Sequence, residues 1–337
     1  MRSIAGRPAC NAMRSIAGRF AVVPFFGFPF FSPRASAYSR LMTPRFLFAP
    51  FCLALFCASA FAQPPSPPQP SASPATITAT FWNVQWFPGR RPNASRAEEK
   101  RQVRAVHADL AQFNSDLIAL EEVRDFRHAA LAVKPLNGFK VDVCSDFHAR
   151  EGQRETQQVA ITSRLQPLSA WAEEWKPGAA ITPPRGFAFA AYQLSPRQVL
   201  LVYALHLKSN RGDIREDIRI REESTHQLLS HMKAMDRAYN KLGALTWIVG
   251  GDFNTAPEDP RFSREKTVPN LLAAGFRWAW EGIPFASRIT VAATEQYPPA
   301  CFDHIFYRGA TLTKAWLAKS ARQSSDHRPV HAAFQLR

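Results

Sequence analysis

An α+β fold, with two stacked β-sheets and helices on their outer faces, is the architecture the sequence predicts. Three features of the pattern carry this expectation. Strand-forming runs outnumber helical ones. Between residues 139 and 207 the strands follow one another with no helical segment among them, which makes neighbours antiparallel. The helical segments show an apolar line on one face, as a helix covering a sheet requires. An evenly alternating, doubly wound sheet does not fit this order.

In chain order, TITATFWNV (76–84) is a strand by its β-branched and aromatic content. A helix follows near 95–113, where Ser95 and Glu98 form a capping box and Val103, Val106, Leu110 and Phe113 share one face. DLIALEEV (116–123) reads as a buried strand, followed by a short helix over 125–134. FKVDVCS (139–145), QVAITSR (158–164), GFAFAAYQL (186–194) and QVLLVYALHL (198–207) are strands. A long helix is expected over 213–240, with Ile214, Ile218, Thr225, Leu228, Met232, Met235 and Tyr239 as its apolar line. The charges from Arg215 to Glu223 alternate in sign at helical spacing and read as a solvated face. ALTWIVGGDFN (244–254), FDHIFYR (302–308), LTKAWLA (312–318) and VHAAFQL (330–336) complete the strands.

The first 75 residues belong to no predicted element. MRSIAGR recurs at residues 1–7 and 13–19, and residues 1–41 read as an over-called translation start or a disordered N-terminus. Residues 42–62 have the form of a secretory signal peptide: Arg45, then an uncharged run of 17 residues ending in small residues at Ala60 and Ala62. Cleavage is expected near Ala62/Gln63, giving a secreted or periplasmic protein. The run is short of the ~20 residues of a membrane span, and a Pro/Ser-rich linker (63–75) follows in place of a basic flank, so no stable span is expected. Residues 76–337 are enough for one large catalytic domain.

The formal charge of +15 overstates the exported part. Seven of the 42 basic residues and none of the 27 acidic ones lie in residues 1–62, which leaves 35 against 27, an excess of eight. That balance favours a polyanionic or phosphate-bearing partner. Only Cys144 and Cys301 lie in the domain, and no C-x-x-C pair exists, which argues against a zinc or iron–sulfur site.

Polar groups gather at the ends of apolar strands. Asn83 ends FWNV; Glu121 and Glu122 end IALEEV; His206 ends VYALH; Asp252 and Asn254 follow IVGG; Asp303 opens FDHIF; Asp326 and His327 precede the last strand. Carboxylates and amides without thiolates suit a hard, oxygen-preferring cation, Mg²⁺ or Mn²⁺. Two histidines with nearby acids suit proton transfer, and the combination points to phosphoryl chemistry.

The ordered set WNVQW, IALEEVRD, ALHLKS, GGDFNTAP, CFDHI and SDHRPV resembles the endonuclease/exonuclease/phosphatase superfamily, and in particular its pancreatic deoxyribonuclease-like branch. The resemblance covers residues 76–337. It implies a four-layer α/β/β/α sandwich, two mixed, mostly antiparallel β-sheets flanked by helices. It further implies metal ligation by Glu122 with Asn83 beside it, and Asp326 at the metal or the attacking water. Asp252 and Asn254 would hold the phosphate or a second cation and orient the nucleophile. His327 would be the general base with Asp303 orienting it. His206 would bind a phosphate oxygen or protonate the leaving group, with Asp146 as its acidic partner. Arg124 and Arg185 match phosphate-contacting positions, and Lys208 could add a point charge. Glu121 stands where many relatives carry Gln, and would either perturb its neighbours or face the other side of its sheet. A deoxyribonuclease-like cysteine block suggests a Cys144–Cys301 bridge.

These expectations describe a monomeric, Mg²⁺-dependent nuclease that hydrolyses phosphodiesters by in-line water attack on a nucleic acid substrate. The alternative is a phosphatase or lipid phosphodiesterase acting on a phosphorylated small molecule or lipid. The lipid-active case expects an exposed aromatic loop, and WAEEWKPGAA (171–180), with two Trp but also two Glu, reads either as such a loop or as an ordinary hairpin.

Overall fold

Alternation of inward and outward side chains builds both sheets. In β1 (Thr76–Phe87), Ile77, Ala79 and Phe81 face one side, and Trp82 and Val84 belong to the other. The computed structural model describes residues 76–148, 157–178 and 181–336. The segments expected to be a signal peptide (42–62) and a linker (63–75), and residues 1–41, lie outside these.

Among the described residues, twelve strands form two six-stranded sheets. The first has the order β11 (Ala310–Leu317), β12 (Val330–Leu336), β1, β2 (Leu117–Val123), β4 (Gln158–Ser163), β3 (Lys140–Cys144). The second runs β5 (Pro167–Glu174), β6 (Gly186–Ser195), β7 (Gln198–His206), β8 (Ala244–Asp252), β10 (Asp303–Arg308), β9 (Arg277–Trp278). Only β1/β2 and β7/β8 pair in parallel, and these are the two pairs joined by long helices, α1 (Arg96–Leu110) and α3 (Ile214–Tyr239). A parallel neighbour requires such a crossover, whereas the hairpin-linked strands are antiparallel.

Three apolar clusters define four layers. One lies between the sheets and joins Phe81, Ala119 and Ile161 to Ala190, Val202 and Ile248. A second packs α1 and α2 (Phe126–Val133) on the first sheet through Val106, Leu110, Ala129 and Trp82. The third packs α3 and α4 (Thr267–Ala273) on the second sheet through Leu228, Met232, Leu271 and Trp247. The expected sandwich is therefore present, and the Ser95/Glu98 capping box closes the first turn of α1. Among the described residues, no helix is long and apolar enough to cross a membrane.

Three expectations are corrected. The Cys144–Cys301 bridge is absent. Cys301 belongs to the core between the sheets, and Cys144 packs on the helix-covered face of the first sheet, so a sheet separates them. The charged stretch of α3 is not wholly solvated. Arg221 is fully buried and donates through Nε and Nη2 to the two carboxylate oxygens of Glu265, each at 2.8 Å. Finally, the two tryptophans of 171–180 do not form an exposed loop. Trp171 lies in β5 against Phe189, with ring centroids 4.4 Å apart, and Trp175 is buried.

Candidate active site

Both parallel pairs end at the same place. Asn83 on β1, Glu122 on β2, His206 on β7 and Asp252 on β8 stand at the carboxyl ends of the four central strands. In the second sheet, register places His206 beside Asp252 and Asp252 beside Asp303. Gly250 lets the sheets close here, because a β-carbon on it would meet the Phe81 ring at 2.7 Å.

Two irregularities aim the carboxylates. Strict alternation along β2 would turn Glu122 toward the helices. Register breaks between Glu121 and Val123, and Glu122 adopts a left-handed φ of 62°, which brings its side chain to the cavity. The matching break in β1 lies between Asn83 and Phe87, with Gln85 and Trp86 also left-handed. The two breaks hold each other: Trp86 N donates to Glu122 Oε2 at 2.9 Å, and Gln85 N to Asn83 Oδ1 at 2.9 Å. A left-handed glutamate costs on the order of 1–3 kcal/mol, and strain of this kind persists where surrounding contacts over-determine it.

Asn83 Nδ2 bridges the two carboxylates, 3.0 Å from Glu122 Oε1 and 3.1 Å from Asp252 Oδ2. Asp252 Oδ1 accepts from Asn254 N at 2.9 Å, and Asn254 Nδ2 donates to Leu207 O at 3.2 Å. His206 Nε2 lies 3.7 Å from Glu122 Oε1 and 3.6 Å from Asp252 Oδ2. His327 Nδ1 is 2.8 Å from Asp303 Oδ2, and its Nε2 is 3.9 Å from Asp252 Oδ2. Glu122, His206, Asp252, Asn254 and His327 line a cavity of about 310 Å³, with Asp326 at its exposed rim, accepting from Gln85 Nε2 at 2.9 Å.

The electrostatics separate the two imidazoles. Burial, reinforced by Arg185, His327 and Arg211, pushes His206 well below its ordinary range, so it is neutral. Burial acts in the same direction on His327, but Asp303 and Asp252 outweigh it and hold its pKa well above normal. Asp252 is raised to about 7, chiefly by burial, against the opposing pull of His327. Glu121 faces the core between the sheets beneath Gly251, where neither of its oxygens finds a hydrogen-bond partner. Burial, then Asp303 and Asp252, raise its pKa well above the carboxylate range, so it stands as a neutral acid.

The donor chemistry fits a divalent cation. Glu122 and Asp252 converge on one amide N–H group, oxygen donors without thiolate, as Mg²⁺ or Mn²⁺ prefers. Asp252, Asp303 and His327 also present ligand atoms within 4.8 Å of one another. In that trio, however, both Asp303 oxygens already contact His327 Nδ1, at 3.1 and 2.8 Å. It is arranged as a hydrogen-bonded relay, which leaves Glu122 and Asp252 as the better cation set, with Asn83 beside them: its Nδ2 only donates, and its Oδ1 accepts from Gln85 N.

Of the residues expected at the site, Asn83, Glu122, His206, Asp252, Asn254, Asp303, His327, Arg185 and Asp326 come together. Three do not. Arg124 bonds Glu99 Oε1 at 2.7 Å and lines a neighbouring groove. Lys208 pairs with Asp217 at 2.7 Å, because the chain leaves β7 after His206 and extended alternation no longer applies. Asp146 is exposed, and the buried Nδ1 of His206 has no hydrogen-bond partner, so the expected pair is not formed. Cavity residues the sequence did not single out include Gln85, Trp86, Asn210, Arg211 and Tyr297. Gln85 and Trp86 lie inside the WNVQW motif, which was the available signal. Behind Asp303, His304 is fully buried, with Nε2 2.9 Å from Thr255 O and Nδ1 accepting from Trp278 Nε1 at 3.2 Å.

Comparison with known proteins agrees with the fold and gives the family. The model of the Endonuclease/Exonuclease/phosphatase family matches residues 80–327. An endonuclease/exonuclease/phosphatase from Beutenbergia cavernae is similar in structure, with a TM-score of 0.58 at 15% identity over 77% of this chain and 72% of that one. D. rerio TDP2, solved in complex with a single-strand DNA product, gives a TM-score of 0.55 at 18% identity over 77% and 99%. Truncated Caenorhabditis elegans TDP2 gives 0.54 at 18% identity over 77% and 98%. No curated protein matches the chain in sequence.

Proposed function

We propose, from the premise that the chain belongs to the endonuclease/exonuclease/phosphatase family, that it is a metal-dependent phosphoric ester hydrolase whose substrate is nucleic acid, cleaved by in-line attack of water. The observation that carries the reading is one imidazole oriented by a buried carboxylate, His327 on Asp303, facing a second imidazole, His206, that burial keeps neutral.

His327 Nε2 is the nitrogen left open to take the proton of the attacking water, while Asp303 fixes the tautomer and stabilises the imidazolium that forms. Asp252, fixed by Asn83 and by Asn254 N, orients that water. Neutral His206 donates toward a phosphate oxygen or the leaving group, and Arg185, tied to His206 O at 2.9 Å, holds its strand end in place. A divalent cation held by Glu122 and Asp252, Mg²⁺ or Mn²⁺, would supply positive charge to the ester oxygens and offset the carboxylate field that raises His327. Asp326, at the rim, would meet the water that enters.

The basic excess and the DNA-bound D. rerio TDP2 relative support a nucleic acid substrate. Trp175, which is buried, and Trp171, half-buried against Phe189, disfavour a lipid-surface phosphodiesterase. Secretion after cleavage at Ala62/Gln63 and action as a monomer belong to the same proposal. N-terminal sequencing of the mature protein and its mass in solution check them. The deciding experiment is an Mg²⁺-dependent screen of plasmid DNA, RNA, an inositol phosphate and sphingomyelin. Cleavage of DNA or RNA at low salt is expected; cleavage of a small ester or the lipid alone would overturn the choice of substrate.

A further inference from the structure

The loop after β7, LKSNRGD (207–213), is stitched down through Lys208, Asn210, Gly212 and Asp213. Lys208 Nζ and Gly212 N both bind Asp217, at 2.7 and 2.9 Å. Asn210 Oδ1 accepts from Arg221 Nη1 at 2.8 Å, and its Nδ2 donates to Asn254 O at 2.8 Å. Arg221 also donates to Lys208 O at 3.0 Å and is anchored on Glu265 in the helix-packed layer. Asp213 caps α3 through Arg215 N and Glu216 N. The backbone on both sides of Arg211 is therefore fixed, although Arg211 itself is exposed.

Three arginines line the cavity, and two are engaged. Arg185 donates to His206 O and Leu207 O, and Arg261 grips Asp259 through Nε and Nη2 at 2.6–3.1 Å. Among the described cavity-lining arginines, only Arg211 forms no hydrogen bond or ion pair. A guanidinium has five donors and no acceptor, in a fork that matches two oxygens of a phosphate. Held on a rigid loop, it loses little freedom on engaging one.

Resting on the nucleic acid reading above, we infer that Arg211 clasps a phosphate next to the one attacked, and so selects substrates that carry a second phosphate beside the scissile ester. His206, Asp252 and His327 line the cavity where the attacked group would sit. Arg211, exposed and lining the same cavity, is placed to meet the neighbouring phosphate of a polynucleotide.

The test compares R211A and R211K with wild type on a short oligonucleotide and on bis(4-nitrophenyl) phosphate, which has one phosphate only. The ratio of kcat/KM for oligonucleotide over diester falls at least tenfold in R211A and partly recovers in R211K. Binding of an uncleavable phosphorothioate oligonucleotide, followed by fluorescence anisotropy, weakens at least tenfold, and the slope of log affinity against log salt becomes shallower by about one. An unchanged ratio, whether both activities drop together or neither moves, overturns the inference, as does an unchanged salt slope. If wild type cleaves neither substrate, the hydrolase reading itself fails; if it cleaves both and only the ratio is unmoved, Arg211 alone has been misassigned.

Discussion

Asp303, completely buried, holds His327 Nδ1 between its two oxygens at 2.8 and 3.1 Å, and the imidazole thereby presents Nε2 toward Asp252. The geometry comes from β10 beginning at Asp303, directly across from the end of β8 at Asp252.

Removal of the imidazole in H327A should lower kcat by about 10²–10⁴-fold with little change in KM, the range expected for a positioned general base. D303N should lower it as well, since the amide can turn its NH₂ toward Nδ1 and favour the wrong tautomer. Near-native melting temperatures would show that chemistry, and not folding, was lost. Wild-type turnover in H327A would remove the dyad from the mechanism.

Chelation should abolish activity, and Mg²⁺ or Mn²⁺ should restore it. E122Q should weaken Mn²⁺ binding, measured calorimetrically without substrate, by at least tenfold, because an amide oxygen lacks the charge a hard cation requires. If E122Q binds Mn²⁺ normally and D303N does not, the cation sits instead in the Asp252–Asp303–His327 group.

The buried pair Arg221–Glu265 should act as an all-or-none unit. R221A or E265A should each cost about 3–5 kcal/mol in denaturant unfolding, by stranding one charge out of water. Replacing both with apolar residues of similar volume should cost less than the sum of the single changes. Strictly additive losses would contradict the coupling.

Gly251 has φ of +132°, and a β-carbon there would lie 2.0 Å from Leu205 O. G251A should destabilise by more than about 1 kcal/mol, because the alanine is both strained and overpacked. A neutral result in an unfolding titration would show that the strand end can relax.

His331 is buried against Trp316, with ring centroids 5.1 Å apart, and burial lowers its pKa to about 4. Its unfolded value is near 6.5, so the unfolded chain binds the extra proton first. The contribution of His331 is intact above pH 6.5 and is lost as pH falls toward 4, approaching about 3 kcal/mol. Stability measured from pH 7 to 4 should therefore decline less steeply in H331F than in wild type; parallel curves would show that His331 does not carry the effect.

How much of the site was legible depended on how regular the backbone is at each residue. Asp252 and His206 end unbroken strands, so alternation and the oxygen-rich composition were enough to place them. Glu122, Arg124 and Lys208 lie where alternation fails, at the β2 register break or just beyond β7, and only Glu122 ends in the cavity. Arg221 looked solvated because its helix is highly charged; its partner, Glu265, lies 44 positions away in sequence.

The sequence by itself determined the two-sheet architecture, the strand-end polar set and the family, because these follow from periodicity and local chemistry that a linear pattern records. Tertiary structure alone decided which cations are neutralised, that Glu121 is a sealed neutral acid, that the two thiols lie on opposite faces of a sheet, and that Arg211 is left open. Those outcomes depend on pairing and solvent exclusion between segments far apart in the chain, and on backbone irregularities that turn a side chain from one face to another.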